Sequence, residues 1–219
     1  MEEDASMNPE ELVELFPKYF TLALISVRNS GKSVLAQSII KVVTEKKMTD
    51  IVIVMSGSAG LNDDYNFLPK GALMPFSNNI LHKIWNKQLE DKKLGKEKRL
   101  FIVFDDVLAD KDATKNEILQ KIWIQGRHLS ISSAILSQYP AFVLTPMIMG
   151  NSDLLLYSKL NRQNIEKLWL ATVGISLKDF ISISEKIAGV DYKFMVINNY
   201  CKSPDPLNYL TYVKAEIIK

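Results

Sequence analysis

The chain has 219 residues, 47% of them hydrophobic, and a formal net charge of +2 at pH 7. This length and composition predict a substantial core in one α/β domain, and a charge so close to zero does not by itself indicate a nucleic-acid-binding protein. One cysteine, Cys201, excludes an internal disulfide framework, and with only two histidines a structural zinc site is disfavoured.

Strand and helix signals alternate in the first part of the chain. FTLALISV (20–27) and DIVIVMSG (50–57) are apolar runs of strand length, typical of strands buried on both faces of a parallel sheet. VLAQSIIKVVTEKK, between them, has helical periodicity. A stretch rich in Gly, Asn and Asp then continues to about residue 75, and we expect this loop to be exposed.

The alternation continues to the carboxyl terminus. NNILHKIWNKQLEDKKL predicts an amphipathic helix, GKEKRLFIVFDDV a charged turn and a third strand, and ATKNEILQKIWIQGRH another helix. ISSAILSQ and DLLLYSKL predict a fourth and a fifth strand. The order indicates right-handed crossovers and a mainly parallel sheet flanked by helices. YKFMVINN and YLTYVKAEI, separated by the turn CKSPDPLN, predict a hairpin or added edge strands.

SVRNSGKS (26–33) directly follows the first strand and opens the first long helix. In a phosphate-binding loop of the form GxxxxGK[ST], backbone N–H groups hold phosphates, the lysine contacts the outer phosphates and the hydroxyl binds Mg²⁺. Gly31, Lys32 and Ser33 fill the last three positions of this pattern, and Ser26 replaces the first glycine. The position between strand and helix favours a nucleotide-binding loop over an ordinary polar turn.

Two carboxylates, Asp105 and Asp106, end the third strand at the carboxyl edge, where open α/β sheets bind ligands. Asp105 is suited to hold the water shell of Mg²⁺, and Asp106 to orient or deprotonate a water that attacks the γ-phosphate. A helix N-cap with a solvated turn acid is the alternative for an isolated pair. Because a phosphate loop precedes the pair, the catalytic interpretation is favoured.

Further polar side chains follow the same logic. Gln138 ends the fourth strand, where an amide can contact the γ-phosphate or the attacking water. Arg127 lies between a helix and that strand, and it fits either an arginine finger reaching a neighbouring subunit's nucleotide or a surface arginine near a helix C-terminus. Arg28 and Asn29, inside the loop, are candidates for phosphate or partner contacts.

Together SVRNSGKS, LFIVFDD and IQGRHLSISSAILSQ resemble the FtsK–HerA superfamily of DNA-pumping ATPases, and within it the genome-packaging ATPases of poxviruses, other large DNA viruses and virophages. The resemblance covers roughly residues 22–199. It implies a RecA-like P-loop core, hydrolysis of ATP with Mg²⁺, a homo-oligomeric ring, and translocation of double-stranded DNA into a preformed capsid. It also implies a capsid or portal-vertex protein as a partner.

The resemblance assigns roles to individual residues. Lys32 and Ser33 would contact nucleotide and metal, Asp105 would be the Walker B acid that holds Mg²⁺ through water, and Asp106 would be the catalytic acid. Gln138 would act as sensor and Arg127 as a finger supplied in trans. The residues expected to contact the nucleotide are Ser26, Arg28, Asn29, Ser30, Gly31, Lys32, Ser33 and Val34.

These observations predict one P-loop ATPase domain over residues 1–219, with an N-terminal segment (1–18), a nucleotide-binding core (19–160) and C-terminal helices and strands (161–219). No apolar run approaches the roughly 20 residues that span a bilayer, and the start is acidic where a signal peptide is basic, so we expect a soluble intracellular protein. For a viral ATPase that means the host cytoplasm, a viral factory or the virion. Two other functions stay open: a nucleoside or nucleotide kinase, which has the same size and fold class, and a non-hydrolysing nucleotide-binding scaffold.

Overall fold

The computed structural model of the chain describes residues 6–59, 63–107 and 116–216. Within these ranges, eight strands form one sheet in the order β3-β2-β4-β5-β1-β6-β7-β8. The first six strands pair in parallel, and β7 and β8 join as antiparallel strands. The predicted mainly parallel sheet with added C-terminal strands is confirmed. The strands are β1 (Thr21–Ser26), β2 (Ile51–Ser56), β3 (Leu73–Met74), β4 (Leu100–Asp105), β5 (Ile131–Ser137), β6 (Leu154–Ser158), β7 (Lys193–Asn198) and β8 (Leu210–Lys214).

Helices cover both faces of the sheet, and most of them begin at a residue whose side chain caps the helix or at a proline. Asn8, Ser77, Asn116, Asn161 and Ser176 accept backbone N–H groups at helix N-termini through their side chains. A 3₁₀ helix (Gly126–Leu129) leads into β5. The helices are α1 (Pro9–Glu14), α2 (Lys32–Glu45), α3 (Asn78–Lys93), α4 (Glu117–Gln125), α5 (Pro140–Val143), α6 (Pro146–Gly150), α7 (Arg162–Trp169), α8 (Leu177–Ala188) and α9 (Pro206–Tyr209).

The central strand β1 is buried along its whole length because both of its faces are covered. Leu22 and Leu24 belong to a core cluster that also contains side chains of α1 and α2. Ala23 and Ile25 belong to the opposite cluster, which contains side chains of α3, α4, α7 and α8. Alternate residues of a strand point to opposite faces, so an unbroken apolar run is what this position requires.

The parallel arrangement brings the carboxyl ends of the central strands to one edge of the sheet. Ser26 pairs with Ser158, and Asp105 pairs with Leu136. β7 runs antiparallel to β6, so its amino end lies at this same edge. One region is therefore surrounded by the loop after β1, the acids after β4, the end of β5 and the start of β7.

Two local expectations were wrong. The strand β2 was expected to be buried on both faces, but Ile51 is 38% exposed. The reason is that the neighbouring strand β3, within the predicted loop, has only two residues. It pairs with Val54 and Met55 and leaves the amino half of β2 without a neighbouring strand on that side. The loop itself is not exposed throughout, since Tyr65 is buried. Among the residues described, no helix has the length and apolar character needed to cross a bilayer.

Candidate nucleotide-binding site

The loop that joins β1 to α2 has the backbone form of an anion-binding turn. Asn29 and Gly31 have positive φ angles of 58° and 94°. Gly31 is the N-cap of α2 and has no side chain with which to cap it, so the amides of the first helical turn are left for an external partner. The Ser30 hydroxyl donates to the carbonyl of Val27 at 2.8 Å and closes the turn from within.

Only glycine fits at position 31, for two independent reasons. Its φ of 94° is a conformation that residues with a Cβ rarely adopt. A Cβ built on Gly31 would also lie 2.6 Å from Cδ1 of Tyr192 and 3.3 Å from Cβ of Ala215. The glycine of the GKS triplet is therefore required both by the turn and by the aromatic ring packed against it.

Lys32 lies between the two acids that follow β4. Its Nζ is 2.9 Å from Oδ2 of Asp106 and 3.4 Å from Oδ1 of Asp105. The side chains of Lys32 and Asp105 are 8% and 7% exposed, whereas that of Asp106 is 28% exposed. Burial raises the pKa of Asp105, and the Lys32 ammonium opposes this rise. A buried charge is costly without a partner, so the three groups depend on one another.

Gln138 extends this network at the end of β5. Its Nε2 donates to Oδ2 of Asp106 at 2.6 Å, and its backbone N–H donates to Oδ1 at 3.1 Å. The side-chain oxygen of Gln138, Oε1, accepts from Nε of Arg28 at 3.0 Å. Asp106 has a positive φ of 52°, and its backbone N–H donates to the carbonyl of Leu136 at 2.9 Å. Strained residues of this kind cluster at functional sites, where the surrounding structure fixes them.

Tyr65 completes the site, although it is not among the residues that the sequence predicts. Its hydroxyl donates to Oδ2 of Asp105 at 2.9 Å from a position that is 2% exposed. Burial, followed by the Asp105 charge, raises the pKa of Tyr65, so the phenol keeps its proton at physiological pH. A single tyrosine in a polar loop has no periodicity that marks it, and only the folded chain brings it to Asp105.

Lys32, Asp105, Asp106 and Gln138 border a cavity of about 780 Å³. Six of the eight residues predicted to contact a nucleotide line it, as do both acids and Gln138. Ser26 and Ser30 have buried side chains and do not line the cavity, so any contact they make with a nucleotide would come from their backbone. The cavity is also lined by five residues that the sequence does not predict, Val27, Gly57, Ser58, Asp64 and Tyr192. The full lining is Val27, Arg28, Asn29, Gly31, Lys32, Ser33, Val34, Gly57, Ser58, Asp64, Asp105, Asp106, Gln138 and Tyr192.

Arg127 lies apart from this site. It is an exposed residue of the 3₁₀ helix that precedes β5, whereas Gln138 follows the other end of that strand. A seven-residue strand spans about 23 Å, so Arg127 is at the opposite edge of the sheet. It does not line the cavity of its own chain, and only a neighbouring copy could bring it to a nucleotide.

Comparison with known proteins gives structural matches alone. No protein-family model and no curated protein sequence matches the chain. The fold is similar to that of the genome packaging NTPase B204 from Sulfolobus turreted icosahedral virus 2 in complex with ATP-gammaS, with a TM-score of 0.62 and 16% identity, over 93% of this chain and 100% of that chain. B204, the DNA-packaging ATPase from Sulfolobus turreted icosahedral virus, gives a TM-score of 0.58 and 18% identity, over 96% of this chain and 100% of that one.

A third similar structure is the pCW3 conjugation coupling protein TcpA with ATPgS, with a TM-score of 0.64 and 13% identity, over 91% of this chain and 61% of that chain. Identities this low show likeness of fold, and function requires an argument from the site. The chain therefore has the fold of these P-loop ATPases, as its resemblance to the FtsK–HerA superfamily predicted.

Proposed function

We propose that this protein is an ATP-hydrolysing motor that moves double-stranded DNA into a preformed viral capsid. The observation that carries the proposal is the network joining Lys32, Asp105, Asp106 and Gln138 beside the phosphate loop. The residues come from three strand ends and form one connected group, which an ordinary polar turn does not need. The fold shared with packaging NTPases supports the choice of cargo.

Binding of ATP follows from the positive end of α2 and the Lys32 ammonium. The N–H groups of the first helical turn carry the positive end of the helix dipole and favour an anion there. Lys32 lies between two carboxylates, and the outer phosphates of ATP would take over as its partners. Arg28, which lines the cavity, supplies a second cation to the same phosphates.

The cavity also has the donors that Mg²⁺ prefers. Ser33 and Asp105 both line it beside Lys32, and hydroxyl and carboxylate oxygens are hard ligands suited to this ion. When bound, Mg²⁺ neutralises charge on the β- and γ-phosphates. Asp105 would hold the ion's water with one oxygen fixed by the Tyr65 hydroxyl, so its orientation is set before the nucleotide enters.

Hydrolysis requires a water in line with the γ-phosphate and a group that takes its proton. In this proposal Asp106, which is partly exposed at the cavity, accepts that proton, and Gln138, which is hydrogen-bonded to Asp106, orients the water. A phosphotransferase would instead close several arginines over the phosphates. Arg28 is the one arginine among the described residues lining the cavity, which favours hydrolysis over transfer to an acceptor.

Arg127 would complete the site from a neighbouring copy. Its place at the far end of β5 prevents contact with the cavity of its own chain. In the proposed ring, this end of one copy would lie against the cavity of the next. A guanidinium in that position stabilises the charge that develops on the γ-phosphate. Activity should then require assembly, and Arg127→Ala should lower turnover without lowering the affinity of an isolated subunit for ATP.

The test measures phosphate release from Mg-ATP with and without long double-stranded DNA, over protein concentrations that span assembly. We expect the rate of phosphate release to rise with added DNA and with protein concentration. Lys32→Ala and Asp105→Ala should abolish phosphate release. Lys87→Ala, which removes an exposed i,i+4 ion pair on α3, is the control and should change nothing. Protection of DNA from nuclease in the presence of empty capsids tests the cargo.

Each other outcome identifies a different protein. If phosphate release did not depend on DNA or on protein concentration, and nucleotide turnover rose when a nucleoside was added, the protein would be a kinase. Tight ATP binding with no phosphate release under any condition would show a nucleotide-binding scaffold. Unchanged turnover in both Lys32→Ala and Asp105→Ala would remove the proposal altogether.

A further inference from the structure

Tyr192 is the one aromatic side chain that lines the cavity in the described part of the chain. It lies in the turn before β7, far from the phosphate loop in sequence, and is 47% exposed. The Cδ1–Cε1 side of its ring faces Gly31, at 2.6 and 3.4 Å from the position that a Cβ would take there. An exposed ring is thus held directly beside the loop that binds phosphates.

The strand order places Tyr192 on the side of the loop away from the acids. Asp105 and Gln138 follow β4 and β5, on one side of β1, whereas Tyr192 precedes β7, two strands away on the other side. Two strand spacings are about 10 Å. A triphosphate held with its γ-phosphate towards the acids therefore extends its nucleoside towards Tyr192.

The backbone around Tyr192 is fixed by contacts that do not use its ring. Its φ is 62°, and its carbonyl accepts from the N–H of Ala215 at 2.7 Å. The neighbouring Asp191 forms an ion pair with Lys159, which follows β6. The Ser38 hydroxyl on α2 donates to the carbonyl of Glu216 and ties the same C-terminal segment to the helix of the phosphate loop. The backbone that carries the ring is thus held beside the phosphate loop by these contacts.

We infer that Tyr192 is the nucleobase subsite of the cavity, with the base of a nucleoside triphosphate stacked on its exposed ring. This inference rests on the nucleotide binding proposed above. Aromatic stacking accepts any base, because each base presents a π face. Tyr192 therefore raises affinity for a nucleoside triphosphate over that for a bare triphosphate.

The test compares binding of Mg-ATP and of magnesium tripolyphosphate, which has no base, by isothermal titration calorimetry. Tyr192→Asn removes the ring but suits the positive φ, since asparagine tolerates the left-handed region. We expect it to weaken ATP binding about tenfold, as loss of one base stack does, and to leave tripolyphosphate binding unchanged. Tyr192→Phe should bind ATP within about twofold of the unmodified protein, because the ring stays.

Tyr200→Asn, which removes an exposed tyrosine at the opposite edge of the sheet, is the matched control and should bind both compounds normally. A thermal unfolding scan checks that each variant is folded. Should Tyr192→Asn fail to fold, Tyr192→Trp gives a second readout, since ATP should change its fluorescence and tripolyphosphate should not.

Undiminished ATP binding by a folded Tyr192→Asn protein would overturn the inference. Equal losses for ATP and tripolyphosphate would overturn it too, since they would show that the ring supports only the phosphate loop. If the unmodified protein bound neither ATP nor tripolyphosphate, the proposed function itself would be refuted. That result differs from undiminished ATP binding by the variant, which refutes only the role of Tyr192.

Discussion

Replacing Tyr65 with phenylalanine removes one hydroxyl from a buried contact with Asp105. The tyrosine is 2% exposed, and its hydroxyl donates to Oδ2 of Asp105 at 2.9 Å. The other oxygen, Oδ1, lies 3.4 Å from Nζ of Lys32. Phenylalanine keeps the ring and its packing, so the variant isolates the hydrogen bond.

The expected loss of stability in Tyr65→Phe follows from the charge of the Asp105 carboxylate. A hydrogen bond to an ionised group contributes about 1.5–3 kcal/mol, and leaving a buried carboxylate oxygen unpaired falls in the same range. We expect Tyr65→Phe to lower the free energy of unfolding by about 2 kcal/mol, a fall of about 4–8 °C in the midpoint for a chain of this size. The Mg²⁺ concentration needed for half-maximal ATPase activity should rise, since Asp105 loses its fixed orientation.

Tyr157→Phe is the matched control. Tyr157 is also buried and contacts the Ser184 hydroxyl at 2.6 Å, but both partners are neutral, and Ser184 still donates to the carbonyl of Phe180 at 2.7 Å. Its cost should be about 1 kcal/mol, with no change in the Mg²⁺ requirement. Urea unfolding and ATPase titrations measure both quantities. A loss for Tyr65→Phe no larger than for Tyr157→Phe, with the same Mg²⁺ dependence, would refute this reasoning.

Three further predictions concern other parts of the chain. Gly31→Ala should destabilise by at least about 2 kcal/mol and abolish ATP binding in calorimetry, because of its φ and the Tyr192 contact. Ser26→Ala should stabilise by about 1 kcal/mol in urea unfolding with unchanged ATP affinity, since among the described residues its buried hydroxyl has no partner. Hydrogen bonds and charge from Arg99 lower the pKa of Asp50 to about 2 from 3.8, so this exposed pair stabilises the fold fully above about pH 4 and loses its effect as the pH falls through about 2. Asp50→Asn should cost under about 1 kcal/mol at pH 7 and less at pH 2, where half of the folded-state carboxyls are protonated.

Much of the candidate nucleotide site could be predicted because its parts are local sequence features. An apolar run followed by SGKS predicts a strand, a turn and a helix, and the turn lies where β1 meets α2. Asp105 and Gln138 each end a buried strand, and parallel strands bring such ends to one edge. The network between Lys32, Asp106 and Gln138 follows from those positions, although its distances do not.

The parts that the sequence could not determine all depend on contacts between distant segments. Tyr65 reaches Asp105 across 40 residues, and Tyr192 packs on Gly31 from the far end of the chain. The exposure of the amino half of β2 also depends on such contacts, since the two-residue strand β3 pairs only with the other half of β2. Periodicity and motif spacing report what a segment forms and which face it buries. Which segments meet is decided by packing of the whole core, and that decides what surrounds the phosphate loop.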